Sequence, residues 1–446
     1  MKGSPAQPRG EPVAGAEFRC AAPPGPSTSY SDRVNVRTEQ RSGERVLVVG
    51  AGMAGVQTAV RLRERGWTGR IVLVGAEPHR PYDRPPLSKA VLTGGAAGSA
   101  FDVDFDALDV DLRLGVTVTG LRAADREVDT ASGPVPYDRL VLATGAEPVS
   151  LPGGGGVPGV HLLRTLDDVH LLRPVLAERR DVVVVGAGWI GAEFATAARE
   201  AGCRVTVVEA ADRPLAGVLP PEVAAPMRHW YREAGAELLT GRAVTAVRPA
   251  DRGRVEVELS DGAVLRAGGV VVGIGARPAT GWLTGSPVAL GEDGAVLADD
   301  RLRTSVPDVY AVGDCASFPS ARYGRRLSVH HWDNALQGPR TIASVLVAGE
   351  AETPPYDPVP YFWSEQFGRF VQYAGHHDDG DEPLWRGDPG DASWSVCWLR
   401  EGVLNAVLAV GRPRDLTQGR KLIERAATLD PARVADPSVP LKSAVR

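Results

Sequence analysis

Cysteine, lysine and long apolar runs are all scarce in this chain of 446 residues. The four cysteines, Cys20, Cys203, Cys315 and Cys397, lie far apart, and no two of them share a short spacing. That spacing excludes a disulfide framework, a zinc pattern and a Cys-x-x-Cys redox motif, and it favours a reducing, cytoplasmic setting. No apolar run approaches the length of a membrane span, and the N-terminus lacks the apolar core of a signal peptide.

The basic residues are almost all arginine, because lysine occurs only at positions 2, 89, 421 and 442. A net charge of −5 gives no indication of nucleic-acid binding. Contents of 43% hydrophobic and 24% charged residues are ordinary for a soluble globular enzyme, and the length predicts two or three domains. Lys89 is the single internal lysine, so its presence needs a specific reason.

Glycine, in contrast, forms two matching motifs, each directly after an apolar run. Residues 50–55 read Gly-Ala-Gly-Met-Ala-Gly after residues 45–49, and residues 186–191 read Gly-Ala-Gly-Trp-Ile-Gly after residues 181–185. Each motif predicts a strand, a tight turn and a helix start, which is the arrangement that places a pyrophosphate at a helix N-terminus. The candidate cofactor-binding glycines are Gly50, Gly52 and Gly55 in the first motif and Gly186, Gly188 and Gly191 in the second. We therefore expect two bound dinucleotides that face each other.

An acidic residue ends the next apolar run after each motif. Glu77 follows Gly50 by 27 residues, and Glu209 follows Gly186 by 23 residues. Both spacings are close to the roughly 20 residues at which a carboxylate accepts hydrogen bonds from an adenosine ribose. Because a carboxylate there repels a 2′-phosphate, Glu209 favours NADH over NADPH.

The order of the predicted elements indicates an α/β protein with two Rossmann-like dinucleotide-binding domains, one inserted in the other, and a C-terminal α+β domain. The predicted segments are a disordered leader at 1–43, the first nucleotide domain at 44–152 and 277–353, the second at 153–276, and the final domain at 354–446. Alternating apolar runs beyond residue 359 predict an antiparallel sheet closed by a helix at 414–427. The acidic run at 378–382 is interpreted as a solvated loop.

Between the first motif and the first domain's later strands lies the segment Pro81-Tyr82-Asp83-Arg84-Pro85-Pro86-Leu87-Ser88-Lys89. With this segment and both glycine motifs, the chain resembles, over about residues 45–440, the NADH-dependent ferredoxin reductases that serve cytochrome P450s and aromatic dioxygenases. The resemblance implies FAD in the first domain and NADH in the second. Disulfide reductases carry a cysteine pair at this place and this chain has none, so we expect electrons to leave from the flavin edge.

The resemblance also implies roles for individual residues. Lys89 is expected beside the flavin N5, paired with Glu193, and Arg84 is a plausible clamp on the pyrophosphate. The turn Ala143-Thr144-Gly145 is expected near the flavin, Asp314 on the ribityl chain, and Trp332 stacked at the flavin or nicotinamide. Lys89, Glu193 and Trp332 are the candidate catalytic residues.

One segment departs from the family pattern, since Ser328 and His330 stand where the family has Arg-x-Glu. No metal is expected, because the adjacent His330 and His331 have no third ligand nearby. Arg322, Arg325 and Arg326 form a basic cluster near this segment, which suggests a docking surface for an acidic [2Fe–2S] ferredoxin. A solvated loop in an arginine-rich protein is the alternative.

The resulting hypothesis is an FAD enzyme that takes hydride from NADH and passes single electrons to a ferredoxin, which feeds a P450 or a Rieske-type oxygenase. No nucleic-acid or membrane partner is expected, and a monomer and a homodimer both stay open. Two alternatives remain. One is a tailoring flavoenzyme that acts directly on an organic substrate, and the other is an NADH-sensing flavoprotein of the apoptosis-inducing-factor type.

Overall fold

The computed structural model describes residues 43–446, so all but the last residue of the expected leader at 1–43 lies outside the described residues. Its first segment alternates strands and helices around the first glycine motif. In chain order the elements are β1 (Arg45–Val49), α1 (Met53–Glu64), β2 (Arg70–Gly75), α2 (Ala90–Thr93), β3 (Val110–Leu114), β4 (Val118–Arg122), β5 (Glu127–Thr130), β6 (Val135–Pro136), β7 (Arg139–Leu142) and β8 (Ala146–Pro148). β1 and β2 are almost wholly buried, as parallel strands covered on both faces must be.

The second segment repeats this pattern around the second glycine motif. Its elements are β9 (Val160–His161), α3 (Leu166–Ala177), β10 (Val182–Val185), α4 (Trp189–Glu200), β11 (Val205–Glu209), α5 (Pro221–Ala224), α6 (Arg228–Glu233), β12 (Glu237–Thr240), β13 (Val244–Pro249), β14 (Val255–Leu259), β15 (Val264–Ala267) and β16 (Gly269–Val272). A five-stranded parallel sheet runs in the order β12-β11-β10-β16-β9, and β13, β14 and β15 form a separate antiparallel sheet.

After β16 the chain returns to the first domain. The returning elements are β17 (Ala276–Pro278), β18 (Val296–Leu297), β19 (Val309–Ala311), β20 (Ala316–Ser320), β21 (Arg325–Ser328) and α7 (Trp332–Val347). β19 pairs in parallel with β7 and completes a sheet in the order β19-β7-β1-β2-β3, while β17 pairs with β8 where the chain crosses between domains. The second nucleotide domain is therefore an insertion in the first.

The last segment is an antiparallel sheet closed by helices. Its elements are β22 (Tyr361–Gln366), β23 (Arg369–Gly375), β24 (Glu382–Arg386), β25 (Trp394–Arg400), β26 (Val403–Val410), α8 (Pro413–Glu424) and α9 (Pro431–Ala435). The strands follow the order β22-β23-β26-β25-β24. The predicted fold class, two Rossmann-like domains with one inserted in the other and a C-terminal α+β domain, is confirmed.

One strand of the last segment has no clear signal in the sequence, and one local expectation was wrong. The polar and proline residues of β24 break the apolar alternation that is typical of a strand. The acidic run at 378–382 is not simply a solvated loop, since Asp381 is buried and accepts hydrogen bonds from Arg400 Nε at 2.7 Å and from Asn405. A buried carboxylate needs such donors to offset the loss of water.

A second buried carboxylate ties the final domain together. Arg386 on β24 is fully buried and contacts Asp415 on α8 at 3.1 Å, and Ser395 on β25 donates to the same carboxylate at 2.8 Å. Burial raises the pKa of Asp415, but hydrogen bonds from Arg386 and Ser395 outweigh it and hold that pKa below its usual value. Among residues 43–446, none of the helices combines the length and apolar character that crossing a membrane requires.

Candidate active site where three domains meet

A cleft of about 1760 Å³ lies between the two nucleotide domains and the C-terminal domain. Most of the candidate residues identified in the sequence line it, namely Gly50, Gly52, Glu77, Arg84, Lys89, Ala143, Thr144, Gly145, Gly188, Glu193, Asp314 and Trp332. Gly55, Gly186, Gly191 and Glu209 do not line it. The fold therefore brings residues that are up to 282 positions apart in the chain into one site.

In the first glycine motif the outer glycines serve packing and the middle one faces the cleft. A side-chain carbon at Gly50 would overlap with the carbonyl oxygen of Ala143, and one at Gly55 would overlap with that of Gly50. At Gly52, which precedes α1 and lines the cleft, the same carbon would meet no atom within 4 Å. The backbone at Gly52 is therefore open to close approach by a ligand.

The second motif has the same design. A side-chain carbon at Gly186 would overlap with Gly273, and one at Gly191 would overlap with Gly186, whereas at Gly188 the nearest atom would be 3.9 Å away. Neither α1 nor α4 has a side-chain cap at its N-terminus, so the first amides of both helices are available to an anion. These residues fit two dinucleotide pyrophosphates.

The two acidic residues predicted to bind ribose have different surroundings. Glu77 accepts hydrogen bonds from the Tyr82 hydroxyl at 2.5 Å and from Arg84 Nη2 at 2.7 Å. Glu209 accepts from the backbone amides of Ala187, at 2.7 Å, and Ala211, at 2.9 Å. Glu209 thus also holds the second glycine turn in shape, and Arg84 lines the cleft with its guanidinium engaged by Glu77.

Lys89 and Glu193 form an ion pair with a distance of 2.7 Å between Nζ and Oε2. Lys89 lies between a 3₁₀ turn at Pro85–Ser88 and α2, and Glu193 lies in the first turns of α4. Glu193 is only 5% exposed, and Ser88 and Ser364 also donate to its carboxylate at 2.5 Å and 2.8 Å. A buried carboxylate is tolerated when such donors surround it.

The turn at Ala143-Thr144-Gly145 follows β7, and Asp314 lies in a one-turn 3₁₀ helix after β19, so the two adjacent strands end at the same place. Asp314 accepts a hydrogen bond from Arg164 Nη2 at 3.2 Å, and Arg164 Nε donates to the carbonyl of Ala146 at 3.1 Å. Arg164 belongs to no sequence motif, so no local pattern predicts its contact with Asp314.

Trp332 is the first residue of α7, and its indole Nε1 donates to Asp83 at 2.7 Å. Burial raises the pKa of Asp83, and the hydrogen bond from Trp332 opposes that rise. The Trp332 ring packs edge-on against Trp363, with 5.8 Å between ring centroids. Asp83 lies inside the Pro81–Lys89 segment and carries no local signal of this role, because its partner is a half-buried residue 249 positions away in the chain.

The segment that departs from the family pattern is held by other contacts. Ser328 donates to Asp293 at 2.8 Å, and the His331 ring stacks on Phe362 with 4.5 Å between centroids. Burial lowers the pKa of His331 to about 4, with nearby Asp314 opposing the shift and His330 adding to it. His331 is therefore a neutral imidazole at neutral pH.

The predicted basic cluster is only partly available to a partner. Arg322 Nη1 donates to the carbonyl of Ile423 at 2.6 Å, so its guanidinium also holds the end of α8. Arg326 donates to the carbonyls of Ala298 and Ser317, and Arg325 pairs with Asp378 at 2.7 Å. Arg325 and Arg326 line the mouth of the cleft and are exposed.

Comparison with known proteins agrees with this geometry. A family model described as pyridine nucleotide-disulphide oxidoreductase matches residues 44–338, and one described as reductase C-terminal matches residues 361–445. The chain belongs to the pyridine nucleotide-disulphide oxidoreductase family.

Its relatives within that family match over nearly their whole length. The ferredoxin reductase subunit of 5,5'-dehydrodivanillate O-demethylase from a Sphingobium species is 36% identical over 89% of this chain and 97% of its own. Putidaredoxin reductase from Pseudomonas putida is 35% identical over 91% of this chain and 97% of its own. A chain in the crystal structure of the covalent putidaredoxin reductase–putidaredoxin complex aligns with this protein at a TM-score of 0.85 and 34% identity. The alignment covers 90% of this protein and 97% of the chain in that crystal structure.

The resemblance to NADH-dependent ferredoxin reductases is therefore confirmed. FAD and NADH are the cofactors of these enzymes, and the two glycine motifs with their open helix N-termini fit both groups. The three cysteines in the described part of the chain are buried and unpaired, which agrees with the absence of a disulfide pair next to the cleft.

We expect His331 to make stability depend on pH. Its pKa in the folded chain, about 4, lies below the roughly 6.5 of an unfolded histidine, so this contribution is complete above pH 6.5 and is lost as pH falls toward 4. The loss amounts to at most about 3 kcal/mol. In His331→Phe an aromatic ring still packs on Phe362, but position 331 no longer titrates. As the pH falls from 6.5 to 4.5, the variant should therefore lose less stability than the wild type.

The measurement is the thermal unfolding midpoint of the apoprotein across that pH range. Leu171→Gln, which changes an exposed residue of α3 that does not titrate, serves as control and should keep the wild-type pH dependence. Parallel curves for wild type and His331→Phe would contradict the expectation.

Proposed function

We propose that this protein takes hydride from NADH and passes single electrons to a [2Fe–2S] ferredoxin, which feeds a cytochrome P450 or a Rieske-type oxygenase. The observation that carries the proposal is the Lys89–Glu193 ion pair in the wall of a cleft lined by both glycine motifs. Bound FAD supplies the change from a two-electron donor to a one-electron acceptor. The setting we propose is cytoplasmic.

Lys89 is a charged residue whose position suits direct action on the reaction. Its side chain lines the cleft and is 19% exposed, while Glu193 behind it is buried. The ion pair fixes the ammonium, so its positive charge is in place before negative charge develops on a bound group. Trp332, oriented by its hydrogen bond to Asp83, offers a ring face of fixed direction in the same cleft.

The remaining candidate residues bind and orient. Gly50, Gly52 and Gly55 shape the first pyrophosphate site, and Gly186, Gly188 and Gly191 shape the second. Glu77 and Arg84 lie close to the first motif, the turn at Ala143–Gly145 packs directly against Gly50, and Asp314 lines the same cleft. Glu209, at the end of β11, supports a preference for NADH because its charge disfavours a 2′-phosphate.

The ferredoxin is proposed to dock near Arg322, Arg325 and Arg326, of which Arg325 and Arg326 are the exposed members. Both residues line the mouth of the cleft, so a partner bound there approaches the flavin edge. Positive charge at this rim favours encounter with an acidic electron carrier. A monomer and a homodimer are both compatible with this arrangement.

The deciding experiment is anaerobic reduction of cytochrome c by NADH and the purified holoprotein, with and without a [2Fe–2S] ferredoxin. Reduction that depends on the ferredoxin is expected. Rapid reduction of the flavin without any effect of ferredoxin would favour direct action on an organic substrate. Slow flavin reduction with a persistent charge-transfer band would favour an NADH-sensing protein.

Substitution of Lys89→Ala tests the proposed electrostatic role. Loss of the preorganised charge should slow reduction of the flavin by NADH about 100-fold while FAD stays bound. Stopped-flow absorbance measures the rate, and the protein-bound flavin spectrum measures retention. Lys421→Ala, on the surface of α8, is the matched control, and an unchanged rate in Lys89→Ala would remove Lys89 from the chemistry.

Charge reversal at Arg325 tests the docking surface. Arg325→Glu should lower kcat/KM for the ferredoxin about tenfold at low salt and weaken its salt dependence, because steering at the rim is lost. Arg248→Glu reverses an equally exposed arginine that is paired with Glu258 on the inserted domain. Equal effects of the two variants would show that overall charge, and not this rim, governs the encounter.

A further inference from the structure

Glu193 receives part of its support from the C-terminal domain. We propose that Ser364 on β22, oriented by Gln366, is a positioning residue that holds the Glu193 carboxylate and through it fixes the Lys89 ammonium. The inference rests on the proposed role of the Lys89–Glu193 pair. It gives the C-terminal domain a part in the chemistry of the cleft, in addition to any contact with a ferredoxin.

The two oxygens of Glu193 have separate sets of donors. Oε2 accepts from Ser88 at 2.5 Å and from Lys89 at 2.7 Å, both in the first nucleotide domain. Oε1 accepts from the Ser364 hydroxyl at 2.8 Å, with the Glu365 amide at 3.4 Å. Ser364 is fully buried, so its hydroxyl bonds within the protein and not to solvent.

The direction of the Ser364 hydrogen bond follows from its neighbours. A carboxylate paired with an ammonium has no proton to donate, so the Ser364 hydroxyl must donate to Glu193. The hydroxyl oxygen then accepts from Gln366 Nε2 at 3.1 Å, and Gln366 is only 1% exposed. The chain from Gln366 through Ser364 to Glu193 therefore has one arrangement of donors and acceptors.

The strand that carries Ser364 is itself anchored to α4. The Phe367 amide donates to the Thr196 hydroxyl at 2.9 Å, about one helical turn beyond Glu193. The Phe367 ring also packs against Tyr231, with 4.6 Å between centroids. Ser364 is thus held at a constant distance from Glu193.

Loss of the Ser364 hydroxyl frees Oε1 from its strongest donor. The carboxylate is then held by Ser88, by the ion pair with Lys89 and by the long contact from the Glu365 amide, so its rotation about the Cγ–Cδ bond is less restricted and the Lys89 ammonium is fixed less firmly. A hydrogen bond to a charged group is strong enough that its loss corresponds to about a tenfold change in an equilibrium or rate. The effect should fall on the rate of hydride transfer rather than on NADH binding.

The test compares Ser364→Ala with Ser395→Ala. Ser395 is an equally buried serine in the same sheet, and its hydroxyl also donates to a carboxylate at 2.8 Å, that of Asp415. In the holoprotein, stopped-flow measurements should show a limiting rate of flavin reduction about tenfold lower in Ser364→Ala, with KM for NADH unchanged. Ser395→Ala should keep the wild-type rate.

A second readout does not depend on the cofactors. Because the chain has only four lysines, at 2, 89, 421 and 442, ¹⁵N-lysine labelling gives few ammonium signals, and Lys89→Arg identifies the one from Lys89. In the apoprotein at fixed pH, the Lys89 ammonium protons should exchange with water several-fold faster in Ser364→Ala. Gln366→Met, which removes the donor to Ser364, should shift exchange in the same direction and serves if Ser364→Ala does not fold.

The outcomes separate this inference from the proposed function. Unchanged exchange in Ser364→Ala, or equal effects of Ser364→Ala and Ser395→Ala, would overturn the positioning role. Faster exchange together with an unchanged rate of flavin reduction would support the contact but contradict its part in hydride transfer. Failure of the ferredoxin to accept electrons would overturn the proposed function and leave the exchange result standing.

Discussion

The arrangement of this protein depends on the burial of one carboxylate. Glu193 has almost no contact with solvent, so its charge must be met by protein donors. Those donors come from the segment that follows the first Rossmann unit and from the first strand of the C-terminal domain, while Glu193 itself lies in the inserted domain. All three parts of the chain therefore contact each other at Glu193, in the wall of the cleft that lies between them.

The same helix start performs two tasks. The N-terminus of α4 has no side-chain cap, which fits a pyrophosphate, and two residues beyond Gly191 the same helix places Glu193 against Lys89. A change in the angle of α4 would displace this N-terminus and the ion pair at once. The glycine turn before α4 is tightly packed, because Gly186 and Gly191 leave no space for a side chain against the neighbouring backbone. This packing fixes the direction in which α4 begins. Glu193 has a fixed position because it lies on α4 and not on a loop.

Sequence patterns predicted the parts of the protein whose signal is local. Apolar runs followed by glycine turns identified β1, β10 and their helices, because a buried parallel strand and a tight turn each require particular residues at consecutive positions. Local patterns do not show contacts with residues that are distant in the chain. The acidic run was interpreted as solvated, but Arg400 and Asn405 donate hydrogen bonds to the buried Asp381. Arg322 was assigned to a basic cluster, and its guanidinium also donates to a carbonyl at the end of α8.

By itself the sequence determined the fold class and the two glycine turns that each join a strand to a helix, and through resemblance to a family it predicted the pairing of Lys89 with Glu193. Only the tertiary structure decided which further groups complete that pair. Ser364, Gln366, Asp83 and Arg164 carry no motif, and their partners lie far away in the chain. Local propensity records the conformation of a few consecutive residues, whereas hydrogen bonds in a buried site depend on how whole domains pack, so no short stretch of sequence contains them.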